Sequence, residues 1–218
     1  MRVAVLGAGI IGVTTAWQLL KDGHDVTIIE RNDDAAAFTS FANAGLIAPA
    51  HAYAWASPAA PGMMWRSMIN ADQAIRFKPR PDPRQWSWVM SFLKECTAER
   101  ARINTLNKAR LCIYSQQVLG EVAAETRIAY DRNTGGLMYW YRSPASFRTA
   151  SAKADILRSV GLAIEEMTPE AVAGRDPGLV AARAQIAGGL FAPPTKAATA
   201  CCSPAASWRP AVSAAQPS

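Results

Sequence analysis

The chain has 218 residues, half of them hydrophobic, which is enough to bury a sizeable core in one domain or two small ones. Its formal net charge is +6, and two of the cations, Lys196 and Arg209, lie in an atypical tail. The body has no Lys/Arg-rich block, so the clustered footprint of a nucleic-acid binder is missing and no such partner is expected.

In chain order, residues 2–6 (RVAVL) form a short Val-rich run of the kind buried on both faces of a parallel sheet. A glycine-rich turn, a helix from about Ile11 to Asp22 and a second buried strand over residues 25–29 follow, closed by Glu30. Residues 31–45 are polar and small, a loop leading to a short helix, and residues 46–62 read as an irregular, closely packed connection. Residues 85–93 place Trp86, Val89, Phe92 and Leu93 at helical spacing. Residues 97–125 do the same with Ile103, Leu106, Ala109, Ile113 and Val118. Both patterns predict helices whose stripes belong to a core. Strands are expected at 137–141, 162–167 and 186–191, a helix at 146–160, and a short helix opened by Thr168 as cap with Pro169 in its first turn.

The four cysteines, Cys96, Cys112, Cys201 and Cys202, make no CxxC pair, and His24 and His51 stand at no ligand spacing. No metal site is expected, and Cys96 and Cys112 read as buried reduced thiols. A strand beginning at Arg2 leaves no room for a signal peptide, and no apolar run is long enough to span a bilayer. The expectation is a cytoplasmic chain that leaves peripheral membrane contact open.

Gly7-Ala8-Gly9-Ile10-Ile11-Gly12 is a GxGxxG run placed between a strand and a helix. In that position the first glycine permits the tight turn, the second admits a pyrophosphate to the backbone, and the third lets helix and strand close. The phosphates sit at the helix N-terminus, where unpaired N–H groups and the helix dipole favour anions. Glu30 stands where a carboxylate accepts hydrogen bonds from an adenosine ribose. Ala16 is a small helix residue facing the sheet, and Gly23 turns the chain before the second strand. An acid at the ribose disfavours a 2′-phosphate, which leaves FAD or NAD ahead of NADP. The run Thr39-Ser40-Phe41-Ala42-Asn43-Ala44-Gly45 favours FAD, because small residues carrying hydroxyls and an amide can lie against a flat ring or a pyrophosphate.

With those residues in place, the sequence resembles the small subunit of bacterial D-amino acid dehydrogenase, in the FAD-dependent group that includes D-amino acid oxidase, glycine oxidase and sarcosine oxidase. The resemblance rests on VAVLGAGIIGVTTAWQLLKDGHDVTIIER, TSFANAGLIAPAHAYAWASPAAPG, GGLMYWYRS and IAGGLFAP, and it runs from Met1 to about Pro193. It implies an α/β fold: a Rossmann-like FAD-binding domain of GR2-type flavoprotein architecture, with the start of an α+β substrate domain. The implied organisation is the first part of the FAD domain over residues 1–50, substrate-domain segments over 51–194, and an aberrant tail over 195–218. On this resemblance Val3, Gly7, Ala8, Gly9, Ile10, Ile11, Gly12, Glu30 and Arg31 hold the ADP half of FAD. Ser40, Asn43, Ala44 and Gly45 line the pyrophosphate-to-flavin region.

The implied reaction is oxidative deamination of D-amino acids such as D-alanine to 2-oxo acids and ammonia. Electrons pass through the flavin to a respiratory quinone at the inner face of the inner membrane. No catalytic residue is assigned. The alternatives are another FAD-dependent amine or amino acid oxidase, an NAD-dependent dehydrogenase, and an inactive nucleotide-binding fragment. The Ala/Ser/Pro-rich tail departs from the family, which continues with an acidic pair and Gly-Asp. Back-translated and read one base earlier, the tail opens with Asp-Glu-Ser-Gly-Asp, so the expectation is an out-of-frame end on a truncated chain of doubtful activity.

Overall fold

The computed structural model describes residues 1–37, 39–40, 46–70, 76–127 and 134–193. Contacts divide the chain into two compact units, one built from residues 1–47 and 118–135, the other from 48–117 and 136–194. The tail from 195 onward, with its expected shift of frame, lies outside the described residues.

The first unit opens with β1 (Arg2–Leu6), α1 (Ile10–Lys21) and β2 (Asp25–Ile29). β1 and β2 pair in parallel from Arg2 opposite Asp25 to Leu6 opposite Ile29, so α1 is the crossover of a βαβ unit. Val3, Val5, Val26 and Ile28 share the half-buried face of this ladder. Val13 and Ala16 are the buried residues of α1. Gly23 turns the chain into β2 with φ +78°. The expected burial of both strand faces is corrected here. Each strand alternates exposed and half-buried residues, and Leu6 and Ile29 stand in the open. The cause is the two-stranded sheet: α1 packs on one of its faces, and among the described residues no element packs on the other. Residues 31–37 form turns and bends, and the expected short helix is not found among the described residues there.

The second unit holds α2 (Ala60–Ile69), α3 (Pro83–Lys94), most of α4 (Ala98–Thr126), β3 (Leu137–Tyr141), α5 (Pro144–Arg158), β4 (Glu165–Met167), α6 (Pro169–Arg175) and β5 (Gly188–Ala192). α2 falls partly in the stretch read as irregular. Pro61 looks like a breaker, yet it occupies the first turn of the helix, where a missing N–H costs nothing. The helix starts themselves follow the sequence. Asp82 accepts from the N–H of Arg84, Ser143 from that of Ser146, and Thr168 from that of Ala171, each with proline in the first turn.

Among the described residues the three strands are antiparallel in the order β3-β5-β4, so β5, the latest of them in sequence, is central and buried along most of its length. Its paired glycines let a helix close on each face. A Cβ on Gly188 would stand 2.7 Å from the Phe147 ring of α5, and one on Gly189 would stand 2.7 Å from Val172 of α6. Ala109, Ala154, Leu157, Leu162, Ile164 and Leu190 form the core on the α5 side. The stripe expected to be core in α3 is corrected in part: Val89 is buried, Phe92 and Leu93 are half-buried, and Trp86 is exposed, as are Trp88 and Met90 outside the stripe. In α4, Ala109 is fully buried but Ile103 is exposed. Cys96 and Cys112 are free, as expected, but half-buried rather than buried.

Candidate nucleotide-binding site

The turn between β1 and α1 is built by its glycines. Gly7 adopts φ +95°, a left-handed conformation that glycine takes at no steric cost, and its N–H donates to the Ile29 carbonyl across the two strands at 2.7 Å. Gly12 sits so close beneath the turn that a Cβ there would lie 1.8 Å from the Gly7 carbonyl oxygen. Gly9 caps α1 with extended backbone, and it has no side chain to bond the first helical N–H groups. A helix start in that condition presents donors and the positive end of its dipole to whatever occupies the space beyond.

Glu30 folds onto the same turn. Its Oε2 accepts the Ala8 N–H at 2.6 Å, while Oε1 accepts the N–H groups of Arg31 and Asn32 and the Asn32 side-chain amide at 2.8–2.9 Å. The Ala8 N–H first, then those of Asn32 and Arg31, hold this carboxyl below its usual value. The group is therefore an anion acceptor at neutral pH. Oε1 is crowded with donors, and Oε2 keeps a lone pair for a hydroxyl. Ser40 reaches the turn from the other side, its Oγ accepting the Ile10 N–H at 3.1 Å.

The site residues named from sequence thus gather in part. Gly7, Ala8, Gly9, Ile10, Gly12, Glu30, Arg31 and Ser40 converge on the turn, Ile11 stands 76 % exposed in the first turn of α1, and Val3 lies within β1 opposite Val26. Asn43, Ala44 and Gly45 lie outside the described residues. The cradle fits a dinucleotide such as FAD. A Cβ at Gly7 would meet nothing within 4 Å and one at Gly9 would meet only Ser40 Oγ at 3.5 Å, so the backbone there is open to a diphosphate, with the Glu30 carboxylate bonded to the same turn through the Ala8 N–H.

The second unit contains a further cavity, of about 500 Å³, that sequence reasoning missed. Tyr53, Tyr139, Tyr141, His51 and Leu190 line it, with Lys153 the ammonium among its walls. His51 stacks on Tyr139 at 5.8 Å. Burial, with the neighbouring Tyr141, pushes the Tyr53 phenol up to about 12 and raises Tyr139 as well. All three phenols therefore stay neutral hydrogen-bond donors across the working pH range. The Tyr139 hydroxyl is buried without a hydrogen-bond partner among the described residues. The signal available was the LMYWY strand, but strand β3 says nothing of Tyr53, which arrives from a distant loop.

Residues 2–202 match the family described as FAD dependent oxidoreductase. The chain belongs to that family. Its cofactor, by the family's own chemistry, is FAD, which agrees with the open turn and the Glu30 carboxylate. Among curated proteins it is 39% identical over 194 residues to a D-amino acid dehydrogenase of Paramagnetospirillum magneticum, covering 88% of this chain and 46% of that protein. It is 40% identical over 193 residues to D-amino acid dehydrogenase 2 of Mesorhizobium japonicum, with the same coverage. Among solved structures it is similar to glycine oxidase from Geobacillus kaustophilus, with a TM-score of 0.59 at 18% identity, covering 93% of this chain and 41% of that one. Glycine oxidase from Bacillus cereus gives 0.54 at 17%. These likenesses establish the flavoprotein fold, and the chain spans about half the length of the curated relatives it matches.

Proposed function

We propose that this chain carries the FAD-binding unit of an enzyme that oxidatively deaminates D-amino acids, D-alanine among them, to 2-oxo acids and ammonia, with a respiratory quinone as final acceptor. The observation that carries the reading is the β1–α1 turn, in which the open backbone of Gly7 and Gly9 meets the start of α1, whose first N–H is taken by Ser40, while Glu30 binds the same turn. The close relatives named as D-amino acid dehydrogenases support the substrate class. When bound, FAD supplies the two-electron acceptor for the substrate Cα–H bond. This chain's residues do the binding. The N-terminus of α1 neutralises the diphosphate, Glu30 takes a ribose hydroxyl, and Gly9 keeps the approach clear. Asn43, Ala44 and Gly45 extend the cradle towards the flavin ring in this reading. A place at the cytoplasmic face of a membrane follows from a quinone acceptor, and among the described residues no helix is long and apolar enough to cross one.

The test begins with the chain itself. Incubated with FAD and desalted, it is expected to keep a flavin spectrum, and with NAD to keep nothing. Dye reduction is then measured with D-alanine, L-alanine and sarcosine, on this chain and on its fusion to the C-terminal half of the Mesorhizobium japonicum relative. Reduction by D-alanine alone supports the substrate class. Retained NAD without flavin, or turnover of sarcosine instead of D-alanine, overturns the reading. Flavin binding with no turnover in either form leaves the inactive nucleotide-binding alternative.

A further inference from the structure

The cavity of the second unit has a one-sided polar lining. The hydroxyls of Tyr53, Tyr141, Ser146 and Thr149 and the Lys153 ammonium stand in its walls, and no aspartate or glutamate is among the residues that form it. Thr149 is already committed, its hydroxyl donating to the Ala145 carbonyl at 2.9 Å. Among the described residues, the Tyr53 and Tyr141 hydroxyls and the Lys153 ammonium have no hydrogen-bond or ion-pair partner. Burial raises both phenols above their ordinary value, so each keeps its proton to donate. Ala145 and Ser146 bring the first turn of α5, with the positive end of its dipole, to the same space.

The rest of the lining is apolar and flat. Ile164 and Leu190 contribute aliphatic surface, and the Tyr139 ring stacks on His51 with 13° between their planes. A volume of about 500 Å³ is ordinary for a small-molecule site. Donors without acceptors, an ammonium without a carboxylate, and aromatic walls together select one kind of occupant. It carries acceptors and negative charge at one end and a planar apolar body at the other. A zwitterionic amino acid fits badly, because its own ammonium would find no carboxylate and would share the space with Lys153.

We propose that this cavity binds an aryl carboxylate that lacks an amino group, with the carboxylate towards Lys153, Tyr53 and Tyr141 and the ring against Tyr139, Ile164 and Leu190. Two sources supply that chemistry: aromatic 2-oxo acids of the kind the proposed reaction releases, and aryl acids formed elsewhere. Only the first source rests on the proposed function. The site itself needs neither flavin nor turnover, so its failure leaves the reaction standing and an inactive enzyme leaves the site standing.

The experiment is titration calorimetry of the flavin-free chain with 3-phenylpropionate, phenylpyruvate, D-phenylalanine and acetate. The two aryl acids are expected to bind, D-phenylalanine at least about tenfold more weakly, and acetate without measurable heat. Lys153→Met should weaken 3-phenylpropionate about tenfold and remove most of the salt dependence of its binding. Tyr53→Phe and Tyr141→Phe keep ring and volume, so they should fold as the parent does and lose about threefold each. Phenylpyruvate binding more tightly than 3-phenylpropionate supports the oxo acid as occupant, and equal affinity supports aryl acids in general. D-phenylalanine binding as tightly as 3-phenylpropionate overturns the proposal, as does the absence of binding or an affinity unchanged in all three variants. Displacement of 3-phenylpropionate by FAD overturns it too, since the acid would then occupy the β1–α1 turn. So does loss of binding in the fusion to the relative's C-terminal half, because that half would then be what fills the cavity.

Discussion

Gly12 and Gly9 occupy neighbouring places in one motif, yet their side-chain hydrogens do opposite jobs. At Gly12 a methyl group would drive into the Gly7 carbonyl, so Gly12→Ala must open the turn itself. A loss of about 1–3 kcal/mol is expected in chemical denaturation, together with loss of flavin. Gly9 has ordinary extended backbone and space around its missing Cβ, so Gly9→Ala should fold within about 0.5 kcal/mol of the parent. It should nevertheless bind FAD at least tenfold more weakly, roughly, because the methyl group stands where the diphosphate approaches. Parallel melting curves and flavin titrations separate the two, and equal affinity in Gly9→Ala would contradict the cradle. Glu30 adds a pH signature. Its carboxyl is held below the usual value, so it contributes stability that is present above the unfolded value near 4.5 and lost as pH falls through the folded one. Glu30→Gln should therefore flatten the acid limb of the melting temperature against pH, and an unchanged limb would show that these bonds carry no net stability. These residues were legible in the sequence because glycine spacing and a terminal acid are local signals. Ser40 was named only through the family resemblance, because its bond to the Ile10 N–H joins residues thirty apart and no local pattern announces it.

β5 shows what one element can demand of two others. Gly188 faces Phe147 of α5 and Gly189 faces Val172 of α6, so consecutive absent side chains let helices close on opposite faces of a single strand. Arg175 completes the α6 side, its guanidinium 3.6 Å from the centre of the Phe191 ring. Gly189→Ala keeps a backbone that alanine tolerates but overpacks against Val172, with the Tyr139 carbonyl oxygen 3.0 Å away. It should cost about 1–3 kcal/mol in urea denaturation, and the companion variant Gly189→Ala/Val172→Ala should recover part of the loss. No recovery would show that the Tyr139 backbone, not Val172, sets the limit. The sequence announced this strand but not its central place, because strand order is a property of pairing and IAGGLF reads alike at an edge or a centre. It misread α2 for a different reason: Pro61 is punctuation in most contexts and compatible with a helix only in its first turn. The tyrosine-lined cavity was invisible for a third reason, since Tyr53, Tyr139 and Tyr141 meet only after the chain has folded.

The molecule as a whole is two units of unequal self-sufficiency. One has a three-stranded sheet with a helix on each face of its central strand. The other relies on a two-stranded parallel sheet whose Leu6 and Ile29 stay in the open. A ligand held only by the folded form stabilises what it touches. Adding FAD should therefore slow amide exchange in β1, α1 and β2 and leave that in β3, β5 and β4 unchanged, a pattern read directly by hydrogen-exchange mass spectrometry. Protection spread over both units alike would place the cofactor elsewhere. The strand order has one more consequence, in the time domain of synthesis. Among the described residues β3 and β4 pair only with β5, and β5 follows both of them in the chain. While the ribosome works through α5 and α6, two strands wait unpaired, their backbone N–H and C=O groups open to any passing chain. The sheet assembles only after residues 188–192 have emerged, all at once around a strand inserted between its elders.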